Sequence, residues 1–245
     1  MSGTTKAVLL VADISGYTKF MQMHAVSTSH AKQIVVRLLK SLMKTSKPPL
    51  KVAELEGDAV FFYALASDGD IKAIAEKVKR QMVDLFSTFN GEIVSLNKMK
   101  MCTCGACEQI LDLKLKQVVH VGDVAIERIE RFEKLFGIDV ITVHRMLKNS
   151  VPSREYVMMT EPMFSSLSDF YGLEPERRME KFEGLGDVET LVFYPRNLKV
   201  EAAEKESPSP TIGQRVSWFV TRGYQTLFDV IGLRKIKGAF NNLPA

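Results

Sequence analysis

Residues 6–20 read KAVLLVADISGYTKF and carry the strongest local signals in the chain. The apolar run at residues 7–12 is long enough for a buried β-strand and ends at Asp13. A glycine-containing turn, residues 15–18, follows before a helical pattern begins. A carboxylate at the end of a central strand, followed by exposed backbone amides, suits a metal ion and its phosphate ligands. Asp13 is therefore a candidate metal ligand, although an aspartate at this place also fits a helix cap.

A second carboxylate lies in residues 50–64, which read LKVAELEGDAVFFYA. They predict two short strands joined at Glu56 and Gly57, with Asp58 at the tip of the hairpin. If this hairpin pairs beside the first strand, Asp13 and Asp58 meet at one edge of the sheet. Two such carboxylates can share a pair of Mg²⁺ ions about 3.5–4 Å apart, as in phosphoryl and nucleotidyl transfer. Glu-Gly-Asp alone is an ordinary hairpin turn, so the prediction rests on the combination.

Four stretches resemble, in family order, the motifs of class III adenylate and guanylate cyclase catalytic domains. They are ADISGYTKF at 12–20, ELEGDAV at 54–60, LFGIDVITVHRML at 135–147 and FEGLGDVETLVFY at 182–194. The first two resemble the metal-binding motifs, the third the helix with the transition-state residues, and the fourth the last β-hairpin. The resemblance spans roughly residues 5–195 and implies a divergent, cyclase-homology member of that family.

The resemblance implies a homodimeric site, in which one protomer supplies the metal ligands and its partner supplies base-recognition and transition-state groups. It assigns Asp13, Asp58 and the backbone carbonyl of Ile14 to Mg²⁺ or Mn²⁺. Such ions activate the ribose 3′-hydroxyl and neutralise the triphosphate. The nucleotide contacts would then fall on Gly16, Tyr17, Thr18, Glu54 and Lys134.

The residues that would face the base and the α-phosphate match the family less completely. Glu54 is the base-selecting residue type of guanylate cyclases, but Lys134 stands where an Asp, Thr or Cys is usual. Arg145 matches the catalytic arginine, which stabilises charge on the α-phosphate.

Two contacts of the family are missing. Ile141 stands where the ribose-binding asparagine belongs, and Glu183 and Leu185 stand near the place of the triphosphate-binding lysine. Loss of one such electrostatic contact can cost about 10²–10³ in rate. We therefore predict a divergent cyclase-like domain that binds divalent metal and nucleoside triphosphate with weak or absent turnover. The alternative is a catalytically inactive cyclase-like module for nucleotide or metal sensing, or for assembly.

The order of elements predicts an α+β fold, a ferredoxin-like split βαβ sandwich of the cyclase type, with a mostly antiparallel sheet and helices on one face. Helices are expected at 27–46, 71–89, 137–147 and 161–171. Strands are expected at 113–121 and 124–129, with a break between them.

The 245 residues allow one large domain, at 1–196, followed by a linker at 197–213 and a tail at 214–245. No apolar run reaches the roughly 18–20 residues of a membrane span, and the N-terminus does not resemble a signal peptide. We therefore expect a cytoplasmic protein with reduced thiols.

The C-terminal segment is basic and amphipathic. Residues 211–245 hold five Lys or Arg residues against one acidic residue, so the rest of the chain is neutral overall. A neutral body argues against nucleic acid as a partner. The tail fits docking onto the domain or a second subunit, and it also fits peripheral contact with an anionic membrane.

All three cysteines of the chain, Cys102, Cys104 and Cys107, lie within six positions. Closely spaced thiolates can wrap a soft ion such as Zn²⁺, with His120, Glu108 or a cysteine of a second chain as the fourth ligand. The alternative is a solvent-facing loop with reactive or idle thiols. His24 and His30, near the start of the first long helix, are expected to be surface or capping residues, and His120 is expected to be structural.

Overall fold

The computed structural model describes residues 3–22, 25–66, 70–100, 104–195, 211–213, 216–217 and 220, without the side chains of 25–29. The elements, in chain order, are β1 (Thr5–Ser15), α1 (Tyr17–Met21), α2 (Ala25–Thr45), β2 (Lys51–Glu56), β3 (Ala59–Leu65), α3 (Ile71–Met99), α4 (Gly105–Glu108), a 3₁₀ turn (Ile110–Asp112), β4 (Lys114–Ile129), β5 (Phe132–Phe136), α5 (Ile138–Arg145), β6 (Tyr156–Thr160), α6 (Glu161–Phe164), β7 (Glu176–Phe182) and β8 (Gly186–Phe193).

One sheet organises these elements, in the order β2-β3-β1-β4-β6-β8-β7, with β5 paired to the far end of β4. Every strand pair described is antiparallel except β4 with β6. The predicted α+β fold with a mostly antiparallel sheet is thus confirmed. β1 lies between β3 and β4, which explains why its apolar run is continuous rather than alternating.

Helices cover both faces of the sheet, so the prediction of helices on one face was wrong. Successive side chains of a strand point to opposite faces, and residues 7–12 of β1 are fully buried on both. Its even-numbered positions pack in one hydrophobic cluster with α2 and α3. Its odd-numbered positions pack in a second cluster with Val143 of α5 and with Met146 just after it.

Strand β4 is longer than predicted and runs unbroken through Gly122 and Asp123, where a break was expected. A β-carbon at Gly122 would lie 2.1 Å from Cγ of Asp139, so the glycine leaves room for this side chain of α5. The Asp139 carboxylate accepts hydrogen bonds from His120 and from the backbone of Asp123, which ties α5 to the sheet. Gly122 therefore marks the close approach of α5 to the sheet and not the end of a strand.

Two helices also differ in length from the prediction. α3 continues ten residues beyond Phe89, because Ile93 and Leu96 keep its apolar face buried. The helix expected at 161–171 ends at Phe164, and Ser168 beyond it binds Glu76 of α3 through both its backbone N–H and its hydroxyl.

Most of the linker and tail expected at 197–245 lies outside the described residues. Within the part of the chain that the structure describes, no helix is both long and apolar enough to cross a membrane.

Candidate functional site

The end of β1 brings the two candidate metal ligands together. Asp13 lies opposite Ala59, the first residue of β3, so the turn that holds Asp58 is beside it. The backbone N–H of Ile14 donates a hydrogen bond to the carbonyl oxygen of Asp58, 3.2 Å away. The side chains of Asp13 and Asp58 both line one cavity of about 440 Å³, which we call the carboxylate cavity. The two acidic residues thus converge where β1 ends and β3 begins, as the sequence predicts.

The proximity of the two carboxyl groups changes their electrostatics. Burial, and then the neighbouring Asp13 carboxylate, raise the pKa of Asp58 to about 6. An ordinary aspartate is fully ionised well below this pH. Burial and the second carboxylate therefore disfavour the ionised form of Asp58.

Lys116 is a component of this cavity that the sequence analysis missed. It lies on β4 directly opposite Asp13, and its Nζ is 2.8 Å from Oδ2 of Asp13. Both side chains are largely buried, with 20% of Lys116 and 13% of Asp13 exposed. The Lys116 ammonium therefore lies where a metal ion would have to compete with it for the Asp13 carboxylate.

The turn after β1 forms another wall of the carboxylate cavity. Gly16, Tyr17 and Thr18, the predicted nucleotide contacts, all line it. Gly16 has φ of 91°, which favours glycine, and a β-carbon there would lie 3.5 Å from the backbone oxygen of Asp112. Two further cationic side chains, Lys19 and Arg154, line the cavity, and neither appeared in the prediction.

The predicted base-recognition residues lie in a different cavity, of about 240 Å³, between β2 and β5, which we call the Glu54 cavity. Nζ of Lys134 lies 2.5 Å from Oε2 of Glu54, so the two residues that the family resemblance pairs are in contact. His144 of α5 also lines this cavity and lies 3.2 Å from the carboxylate of Glu56.

Arg145 does not line either cavity. Its guanidinium is 2.7 Å from the carboxylate of Glu183, the residue that stands near the place of the family's lysine. Ile141, one helical turn before Arg145 on α5, is 50% exposed. The predicted catalytic arginine thus faces an acidic residue, and an apolar side chain lies next to it.

The cysteine segment lies against α2, away from both cavities. Sγ of Cys104 is 3.3 Å from Nδ1 of His30, and Sγ of Cys107 is 3.9 Å from the same nitrogen. These three side chains are close enough together to hold a metal ion. Cys102, the third predicted thiolate, lies outside the described residues.

The structure corrects the assignment of one histidine in this context and decides between two assignments for another. His30 was expected to be a surface or capping residue, but it meets both cysteines because α2 packs against α4. His120 was considered as a fourth thiolate-site ligand, but its ring nitrogens contact the Thr160 hydroxyl and the Asp139 carboxylate. His120 is thus structural, as its place in a strand first indicated.

Comparison with known proteins identifies related sequences without a described activity. The family model described as "Protein of unknown function (DUF2652)" matches residues 35–156. The "Uncharacterized protein Rv2561/Rv2562" of Mycobacterium tuberculosis is 37% identical over 156 residues, which cover 64% of this chain and 71% of that protein.

Solved structures with a similar fold are class III cyclases. The adenylyl cyclase CyaB from P. aeruginosa aligns with a TM-score of 0.61 at 12% identity, covering 78% of this chain and 95% of that one. A class III adenylyl cyclase-like ATP-binding protein from Pseudomonas aeruginosa aligns with a TM-score of 0.55 at 20% identity. That match covers 68% of this chain and 35% of the other protein. At these identities the likeness shows a shared fold.

Proposed function

We propose a nucleotide-binding function for this chain, which belongs to the same family as the uncharacterized mycobacterial protein and has the fold of class III cyclase domains. The ligand is a nucleoside triphosphate bound with a divalent cation, Mg²⁺ or Mn²⁺, in the carboxylate cavity. The observation that supports this most directly is the convergence of Asp13 and Asp58 in a cavity that also contains three cationic side chains.

The donor atoms of the cavity fit a hard divalent cation. Asp13, Asp58 and the backbone carbonyl of Ile14 offer oxygen ligands, which Mg²⁺ and Mn²⁺ prefer. When bound, the ion would neutralise the triphosphate and lower the pKa of the ribose 3′-hydroxyl. Because Lys116 already lies against Asp13, its ammonium would take the place of a second cation, and the carboxylates would hold one divalent ion.

The positive charge around the cavity suits the phosphates of the nucleotide. Lys19 and Arg154 line it together with Lys116, and Nη1 of Arg154 would be 3.6 Å from a β-carbon at Gly16. In the class III cyclases that the sequence resembles, a lysine of the last hairpin binds the triphosphate, and here Glu183 and Leu185 stand near that place. The three cations of the carboxylate cavity can supply the same charge from within one protomer.

Cyclisation of the nucleotide is expected to be weak. In a homodimer of the kind that the resemblance to cyclases implies, Arg145 and the Glu54 cavity of one protomer would face the carboxylate cavity of its partner. The Arg145 guanidinium is paired with Glu183, and Ile141 offers no hydrogen bond to a ribose. Each missing transition-state contact lowers the rate by about 10²–10³.

A second candidate is nucleotide binding without turnover. It is favoured by the same Arg145–Glu183 ion pair, since the guanidinium would have to exchange this carboxylate for the α-phosphate. It also agrees with the existence of a similarly folded protein that is described as cyclase-like and ATP-binding.

Titration of ATP and GTP in the presence of Mn²⁺ tests the binding site. We expect Asp13→Ala and Asp58→Ala to abolish Mn²⁺-dependent binding, while circular dichroism shows an unchanged fold. Asp187→Ala, at an exposed position of β8, is the matched control and should bind as the parent chain does. Unchanged titrations in both cavity variants would remove the proposed site. Assay of the parent chain for cyclic product then separates weak turnover from none.

A further inference from the structure

The cluster of His30, Cys104 and Cys107 has the dimensions of a metal centre. In tetrahedral zinc sites the Zn–S and Zn–N bonds are about 2.3 and 2.0–2.1 Å, so a sulfur and a nitrogen ligand lie about 3.6 Å apart. The two S···N distances here, 3.3 and 3.9 Å, lie on either side of this value. All the candidate ligand atoms lie within 4.8 Å of one another.

The donor set identifies the class of ion. Two thiols and an imidazole are the soft and intermediate ligands that Zn²⁺ takes, whereas Mg²⁺ and Mn²⁺ prefer oxygen. Cys104 and Cys107 have the C-x-x-C spacing of zinc sites, with Cys104 just before the helical turn of α4 and Cys107 within it. We propose that His30, Cys104 and Cys107 bind one Zn²⁺ ion, independently of the nucleotide site.

The position of the cluster indicates a structural role for the ion. Cys107 is fully buried and belongs to the hydrophobic cluster between the sheet and the helices, and none of the three residues lines the carboxylate cavity or the Glu54 cavity. His30 is 74 residues from Cys104 in sequence, so one ion would cross-link α2 to the connection between α3 and β4. α4 leads directly into the 3₁₀ turn Ile110–Asp112, and the backbone of Asp112 adjoins Gly16. The ion would thereby hold the segment that supports the turn after β1.

Metal content and spectroscopy of the full chain test the proposal. Protein prepared under reducing conditions, without chelators, should carry one Zn²⁺ per chain by elemental analysis. Replacement by Co²⁺ should give the thiolate-to-metal absorption bands of a tetrahedral site. Removal of the ion by a chelator should lower the Tm by at least about 5 °C, because a ligand that binds only the folded state stabilises it.

Variants locate the ion within the chain. Cys104→Ser and His30→Ala should each lower Zn²⁺ affinity by more than about 100-fold, since loss of a group that only hydrogen-bonds to a ligand already costs about 10–100-fold. His144→Ala, at a histidine beside Glu56, is the matched control and should keep full affinity. Asp58→Asn should also retain the ion, which separates this site from the carboxylate cavity.

Three results would overturn the proposal. One is a metal-free chain that takes up no Zn²⁺ after reduction. Another is wild-type affinity in both Cys104→Ser and His30→Ala. The third is a Cys104–Cys107 disulfide in freshly purified protein, which would make the pair a redox element instead.

Discussion

The carboxylate cavity and the surface around the Glu54 cavity differ in how far their charged groups are paired. Of the three cations that line the carboxylate cavity, only Lys116 has an ion-pair partner, Asp13, among the described residues. In the carboxylate cavity, Lys19 and Arg154 form no ion pair within the described part of the chain, so their charge remains available to an anionic ligand. Around the Glu54 cavity the charged groups are paired within the chain. These pairs are Glu54 with Lys134, Glu56 with His144, Glu133 with Tyr63, and Arg145 with Glu183.

This difference in charge pairing bears on two separate requirements, one for ligand binding and one for catalysis. Phosphate binding requires cationic side chains without an ion-pair partner, and among the described residues the carboxylate cavity has two, Lys19 and Arg154. Stabilisation of the transition state requires hydrogen-bond donors aimed at the developing charge. Around the Glu54 cavity such donors already have partners within the chain. This contrast supports the proposal that the chain binds a nucleotide more readily than it converts one.

The largest expected effect comes from restoring the cyclase-type contacts that are missing at Ile141 and Glu183. The double variant Ile141→Asn with Glu183→Lys should raise formation of cyclic nucleotide by about 10²-fold or more, because it supplies a ribose hydrogen bond and releases Arg145 from its ion pair. The measurement is cyclic product formed from ATP and from GTP with Mn²⁺.

Ile138→Asn is the control for this gain, since Ile138 is a similarly exposed isoleucine on the same helix. It should leave product formation at the parent level. A double variant that still binds nucleotide but shows no gain would mean that ion pairing at Arg145 does not limit turnover.

A smaller effect is expected from removing the lysine of the carboxylate cavity. Lys116→Met should increase Mn²⁺ affinity about tenfold, because the ion no longer competes with an ammonium 2.8 Å from Asp13. In the absence of metal the same variant should bind ATP more weakly. Calorimetric titration of Mn²⁺ and of ATP measures both changes. Lys114→Met, two residues earlier on β4, should change neither, and equal Mn²⁺ affinities in the two variants would contradict the role given to Lys116.

The smallest effect concerns stability. The pKa of Asp58 is raised to about 6 in the folded chain from its ordinary value of 3.8, so its ionisation costs folding free energy at neutral pH. Asp58→Asn should therefore raise the Tm at pH 7.5. Solvent screens part of the repulsion at this half-buried group, and we expect about 2–4 °C, as for about 1 kcal/mol.

The pH dependence gives the sign of the stability effect. The gain from Asp58→Asn should be complete well above pH 6, shrink as the pH falls from 6 towards 3.8, and vanish below that value, where Asp58 is protonated in both states. Thermal melts at pH 4, 6 and 7.5 measure it, with Asp187→Asn as the control. A gain that grows on acidification would contradict the raised pKa.

The local sequence was sufficient to predict that Asp13 and Asp58 lie close together, because a continuous apolar run and a hairpin turn are short-range patterns. Lys116 was missed for a physical reason: its role depends on the register between β1 and β4, about 100 residues apart, which no local pattern records. His30 was missed likewise, since only the packing of α2 on α4 brings it to the cysteines. Gly122 led to the wrong prediction of a strand break. A glycine is needed there because Asp139 approaches closely from another element, and the local sequence does not show this contact.

The ammonium beside Asp13 has a consequence for how the chain would respond to its surroundings. A covalently attached cation is present in every molecule, whereas a dissolved ion must first be captured from the medium. Half-saturation with nucleotide should then depend less on free Mg²⁺ than in a site that needs two ions. Occupancy would instead follow the supply of the nucleotide itself.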